Sequence, residues 1–310
     1  MFMKFLWLFL SIVTVFTGCI PKKTGEKPDS VISVTATIFP LFDFTREIAG
    51  DRIHLNLLLM PAAESHSYEP TPKDIITVQK SDIFIYIGGE SDSWVDRILD
   101  SMNTHSMKII RLMDCVQTVE EEIVEGMEAE TEEEPAYDEH IWTSPKNTAL
   151  IIQEITETLC ETDPENAAFY QHNAAEYLMK LDALDSSFQT IVDNAKRKTI
   201  VFGDRFPLRY FADTYGLSYF AAFPGCSTET EPSAATVAFL INKVKAEEIP
   251  VIFHIELSNE KMADTIAEAT GAKKLLFHVC HNITKKDFEN GQTYMKLMQN
   301  NVTNLREALY

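Results

Sequence analysis

The sequence predicts an α/β protein of two lobes, each a parallel sheet covered by helices, joined by one long rigid helix. Three observations carry that prediction. From residue 31 short apolar runs rich in β-branched and aromatic residues alternate with helical stretches, the pattern of strands buried on both faces. The same alternation restarts at residue 199. Between the two lies a stretch, 164–195, without Gly or further Pro, whose apolar residues recur every three or four positions.

In chain order, residues 1–18 read as an export signal: Lys4, a twelve-residue apolar run over 5–16, then Thr17 and Gly18 before Cys19. Twelve residues are too few to cross about 30 Å of hydrocarbon. A small residue, Gly and Cys resemble the bacterial lipobox, which makes Cys19 the candidate lipid attachment site and the first residue of the mature chain. A plain secretory signal is the alternative. Residues 19–30, polar with two Pro and one Gly, read as a tether. The first lobe, 31–160, has strand candidates at 31–38, 53–59, 83–87 and 108–112, with helical stretches such as 42–49 and 72–80 between them. Within it an acidic loop, 119–139, interrupts the alternation. Nine of the fifteen residues from 120 to 134 are Glu, a density that predicts a solvated, mobile loop. Helical patterning runs from about 147 to 195, and Thr162-Asp163-Pro164 marks a fresh start within it, with Pro in the first turn. The linking helix is placed at 161–195, a rod of about 45 Å at 1.5 Å per residue. The second lobe, 196–310, has strands at 199–202, 218–223, 251–254 and 275–278. Its helices are at 208–215, 232–244, 259–270 and 286–309, with Ser258 as an N-cap and Gly271 as a C-cap.

Composition narrows the function. The 310 residues carry 27 Lys and Arg against 47 Asp and Glu, a formal charge of −20, in a globular mix of 45% apolar and 24% charged residues. So negative a surface repels phosphate backbones, which excludes nucleic-acid binding by a basic face, and it tolerates cations. The four cysteines beyond Cys19, at 115, 160, 226 and 280, are too widely spaced for a zinc ribbon or a redox pair. Export permits a Cys226–Cys280 disulfide, with free buried thiols as the alternative. No HExxH, GxSxG, Walker A or GxGxxG occurs, which disfavours zincin, α/β-hydrolase, P-loop and dinucleotide readings.

The histidines fall in two groups. His54, His105 and His172 sit in strand or polar surface contexts and read as structural. His66, His140, His254, His278 and His281, together with Asp204, fall at or after the carboxyl ends of predicted strands in both lobes. That is the edge at which open parallel sheets bind ligands. Facing lobes would bring them together in a cleft, and imidazole with carboxylate suits Zn²⁺, or Mn²⁺ where carboxylates dominate. Glu64 and Glu69 flank His66 and are candidates to orient its ring, or plain loop acids.

These segments resemble a known family. TATIFPLFDFTREIAGDR near the start, PAAESHSYEPTPKDI around His66, SDIFIYIGGESDSWVD after it, DEHIWTSPKN around His140, RYFADTYGLSY, and TETEPSAATVAFLINKVKAEEIPVIF are similar to the zinc/manganese-type solute-binding lipoproteins of bacterial ABC importers. The resemblance covers nearly all of the mature chain. It implies two lobes on a rigid helix, one ion in the cleft, and delivery of that ion to a membrane permease. It places His66 and His140 at the first-lobe ligand positions. The family's third ligand, a His or Glu, stands five residues before the Tyr that matches Tyr210. That position is Arg205, which cannot ligate, so the neighbouring Asp204 is taken in its place. The fourth, an acidic residue after the last strand of the second lobe, corresponds to His278, with His281 as the close competitor and His254 in reserve. Zinc members often carry a His-rich loop before the second motif; here the acidic loop stands there instead, a possible collector of cations.

The expected function is therefore a non-catalytic, extracytoplasmic, lipid-anchored and monomeric metal-binding protein. Zn²⁺ is preferred over Mn²⁺ because imidazoles outnumber carboxylates. The alternatives are a secreted metallohydrolase using the same cleft, which needs a general base, and an adhesin-type lipoprotein with a structural metal.

Overall fold

The structure, a computed structural model, describes residues 31–63, 68–127, 137–225 and 232–310. The expected export signal and tether over residues 1–30, with Cys19, and also Glu64, His66 and Cys226, lie outside the described residues.

The first sheet is built by β1 (Ser33–Ala36), β2 (His54–Leu57), β3 (Ile83–Tyr86) and β4 (Lys108–Arg111). All are parallel, in the order β2-β1-β3-β4, with Val34 opposite both Leu55 and Ile83. Every residue of β3 is buried, as expected of a strand covered on both faces. The crossovers include α1 (Phe39–Ala49), α2 (Pro72–Gln79) and α3 (Ser93–Ser101). A proline in the first turn starts α1, and Gly50 ends it at φ 56°. Thr71 and Asp74 exchange hydrogen bonds in a capping box at the start of α2, which also begins with proline.

Two antiparallel neighbours follow: α4 (Pro145–Thr162), capped by Ser144, and α5 (Ala167–Asp193). The new helix starts three residues later than Pro164 because the Asp163 carboxylate accepts from the Asn166 side chain and from the Tyr170 hydroxyl, holding the turn open. Its 27 residues span roughly 40 Å. One stripe, from Tyr170 through Tyr177, Leu181, Leu184 and Phe188 to Ile191, is buried against α1, α4 and later helices.

The second sheet contains β5 (Thr199–Phe202), β7 (Ser218–Phe220), β9 (Val251–His254) and β10 (Lys273–Leu276) in the parallel order β10-β9-β5-β7. Just past the ends of β5 and β7, β6 (Arg205–Phe206) pairs with β8 (Phe223–Pro224). The helices are α6 (Arg209–Tyr215), α7 (Ala234–Ala246), α8 (Lys261–Thr270), α9 (Lys285–Glu289) and α10 (Tyr294–Leu309). Three expectations are corrected. α8 begins after Glu260, not at a Ser258 cap, because Leu257 and Glu260 adopt left-handed φ values of 60° and 55°. The last strand ends at Leu276, so His278 lies on the following loop. The terminal helix is two helices, separated where Gly291 turns at φ 66°.

One core runs through both lobes. It joins Val34 and Ile85 of the first sheet to Tyr177 and Phe188 of α5, and on to Phe211, Phe253 and Phe277 beside the second sheet. In the acidic segment Glu120, Glu122 and Glu125 are exposed, as their charge density predicts. Its described half, 120–127, is bound to the second lobe: Arg209 donates to Glu122 at 2.9 Å, the Tyr219 hydroxyl donates to Glu122 at 3.2 Å, and Lys243 lies 3.9 Å from Glu125. Among the described residues, no helix is long and apolar enough to cross a membrane.

Candidate metal centre

His140 closes the return of the acidic segment to the first lobe and is 1% exposed. Its own backbone N–H donates to Asp138 Oδ1 at 2.7 Å, and its Nδ1 lies 3.1 Å from the same oxygen. A carboxylate on Nδ1 fixes the ring and directs Nε2 to the opposite side, the usual arrangement behind a metal-binding imidazole. Burial pushes the His140 pKa down, but the Asp138, Glu139 and Glu121 carboxylates together raise it above the ordinary value. Glu139 is buried against Ser91, whose backbone N–H donates to it at 3.0 Å. Asp138 is held in turn: its carbonyl accepts from the Tyr210 hydroxyl at 2.8 Å, and that hydroxyl accepts from the Val119 N–H at 3.3 Å.

The facing wall is the loop after β10. Glu256, just beyond β9, accepts the Val279 N–H on one oxygen at 2.7 Å and the His281 N–H on the other at 3.0 Å. Cys280 between them turns at φ 66°. The Trp142 indole donates to the Val279 carbonyl at 2.9 Å. The His281 ring then stands 5.3 Å from that of His140 and 5.1 Å from that of Trp142, centroid to centroid. Asn282 reaches into the first lobe, donating to the Met60 and Ala63 carbonyls at 3.1 and 2.8 Å. The His281 loop is thereby docked on the stretch that leads to His66.

Between these walls is a cavity of about 50 Å³ lined by His140, His281, Glu256, Asn282, Arg205 and neighbours. Of the sequence-selected residues, His140 and His281 come together there. Asp204 and His278 are not among its lining. Asp204 accepts the Arg205 and Ile255 N–H groups at 2.9 and 3.3 Å, and burial raises its pKa. His278 accepts the Cys280 N–H on Nδ1 at 2.9 Å, and its own N–H goes to Asn301. Both are therefore committed to shaping the backbone around the cavity. His254 lies beside Glu260, with Nδ1 3.1 Å from the Ile255 carbonyl. His105 and His172 are exposed. Sequence reasoning missed Glu256, Asp138 and Tyr210; an acid two residues before His140 was the one local signal. Among the described residues, no three His, Cys, Asp or Glu side chains are grouped closely enough to hold an ion. Cys115, Cys160 and Cys280 are free thiols among those residues.

The sequence model for the periplasmic zinc-uptake complex component A, ZnuA, matches residues 34–308. The chain belongs to the ZnuA family. A ZnuA-family relative, the high-affinity zinc uptake system protein ZnuA of Bacillus subtilis, is 31% identical over 291 residues, covering 93% of this chain and 91% of that protein. The zinc-binding lipoprotein AdcA of Streptococcus pneumoniae is 29% identical over 286 residues; the match takes in 91% of this chain but 57% of AdcA. The Zn(II)-bound ZnuA-like domain of Streptococcus pneumoniae AdcA superposes with a TM-score of 0.75 at 28% identity, over 90% of this chain and 99% of that one. ZnuA-family membership makes this an uptake component and does not favour the hydrolase reading. The two parallel-sheet lobes and the long α5 are those of the family fold.

Proposed function

We propose that this chain captures Zn²⁺ outside the cytoplasm and hands it to an ABC permease, as a monomer held at the membrane by lipid on Cys19. The observation that carries the reading is the buried His140 imidazole, oriented by Asp138 and facing His281 across the inter-lobe cavity. Neutral imidazole is a strong donor for zinc and a poorer one for the harder Mn²⁺. We take His66, His140 and His281 as the imidazole ligands, with Asp204 and His278 holding the loops beneath them. The donor set suits the ion chemically, and a metal held between lobes stabilises the fold by about 4 kcal/mol at a free concentration a thousandfold above its dissociation constant.

The test is zinc content and melting temperature of the purified chain from Cys19 onward. Stoichiometric zinc is expected, with a lower melting temperature after chelation and recovery on adding zinc back. His140→Ala should lose the zinc and the recovery together. A chain whose melting temperature ignores both chelator and zinc does not have this function.

A further inference from the structure

The two residues before His140 are fastened to different lobes. Asp138 is tied to the second. The Tyr210 hydroxyl, on α6, donates to the Asp138 carbonyl at 2.8 Å and accepts the Val119 N–H at 3.3 Å. The Asp138 N–H in turn donates to the Val119 carbonyl at 2.9 Å. One hydroxyl, on a buried residue, thus pins both ends of the acidic segment where they meet.

Glu139 is tied to the first lobe. Its side chain is fully buried and accepts the Ser91 N–H at 3.0 Å, together with the Ser91 hydroxyl, in the turn between β3 and α3. That turn is shaped around it. A β-carbon on Gly89 would collide with the Glu139 side chain, and Asp92 closes the turn by accepting the Ile87 and Gly88 N–H groups.

The consequence for His140 is geometric. With the Asp138 carbonyl and the Glu139 carboxylate both held, the backbone between them keeps its direction. So does Asp138 Oδ1, which receives the His140 N–H and faces its Nδ1. A ligand whose orienting groups are preset gives up less freedom when it binds. Neither Tyr210 nor Ser91 lines the cavity, so both act through His140.

We propose that Tyr210 and Ser91 are positioning residues for zinc binding: two hydroxyls, one from each lobe, that hold the 138–140 stretch between them and set the His140 imidazole. The proposal rests on the zinc-capture reading.

The experiment compares the wild-type chain with Tyr210→Phe, Ser91→Ala, Ser91→Thr and Tyr215→Phe. The last removes a hydroxyl from the same helix, where it donates to Asp185. Zinc affinity is read by competition with a chromophoric chelator, and the place of His140 by the visible absorption of the cobalt-substituted proteins. Tyr210→Phe and Ser91→Ala should each weaken zinc binding about 10-fold and shift the cobalt bands. Ser91→Thr, which keeps the hydroxyl, should restore both readouts, and Tyr215→Phe should leave both at the wild-type values. Unchanged affinity in Tyr210→Phe or in Ser91→Ala overturns the assignment of that residue. Weakened affinity with unshifted cobalt bands overturns it as well, because His140 then keeps its place. An equal loss in Tyr215→Phe overturns the assignment of Tyr210, since general loosening of α6 is then enough. In all of these outcomes the wild-type chain binds zinc and the capture reading stands; a wild-type chain that binds no zinc removes both.

Discussion

Asp138 and Asp92 are buried carboxyls with opposite consequences. Asp138 accepts twice from His140, so its burial is matched by donors and serves the imidazole. Asp92 accepts the Ile87 and Gly88 N–H groups at 2.7 and 3.3 Å, but burial, with the nearby Glu139 charge, pushes its pKa up to about 7. A carboxyl that holds its proton more tightly folded than unfolded favours the fold at low pH. That contribution is whole below its unfolded value of 3.8 and is lost as pH rises through about 7, above which the folded chain carries a buried charge. Asp92→Asn keeps an acceptor for Ile87 and removes the charge. Its melting temperature should exceed that of the wild type at pH 8, with a gain that shrinks towards pH 4. A gain equal at both pH values would exclude titration as its source. At this scale the sequence marked His140 as a ligand candidate through its motif. It could not mark Asp92 or Glu256, because an acid in a loop reads the same whether it is solvated or clasping backbone N–H groups.

At the scale of elements, the periodicities located the strands and helices because they depend on neighbours two to four residues away. The sequence-derived strands at 199–202 and 251–254 match β5 and β9 residue for residue. The failures came where a single backbone angle decided the boundary, as at Glu260 and Gly291. Charge density predicted the exposure of Glu120, Glu122 and Glu125 but not the attachment of their segment, because Arg209 and Lys243 belong to helices far along the chain. The close approach of Gly203, in the turn after β5, to α8 gives a sharp test of element packing. A β-carbon on Gly203 would lie 2.5 Å from the Ala263 Cα and 2.7 Å from its nitrogen. Gly203→Ala forces the turn after β5 away from α8 and should cost about 1–3 kcal/mol in urea unfolding. Loss of less than a few tenths of a kcal/mol would mean that the helix slides freely on the sheet.

Among the described residues one large core runs through both lobes beside two smaller clusters, and the lobes are tied at more places than α5. Tyr294 of α10 donates its N–H to the buried Asp43 of α1 at 2.7 Å, and Trp142 and Asn282 cross the cleft in opposite directions. Asn282→Ala leaves the Met60 and Ala63 carbonyls without that donor and should lower stability by about 1–3 kcal/mol. Because Asn282 anchors the His281 loop, it should also weaken zinc binding, measured by chelator competition. A stability loss with unchanged zinc affinity would show that the anchor does not set His281. The sequence by itself determined the α/β class, the restart of the alternation, the long central helix and the two imidazole motifs, because each is written in local spacing or in a contiguous string. The tertiary structure decided which side chains share the cavity. His278 and His281 are three residues apart and look alike in sequence, but the left-handed turn at Cys280 and the Glu256 clamp leave His278 against Asn301 and bring His281 to His140. Arg205 likewise lines the cavity only through the pairing of β6 with β8. Side-chain direction is set by contacts between segments far apart in the chain, and no local pattern records those.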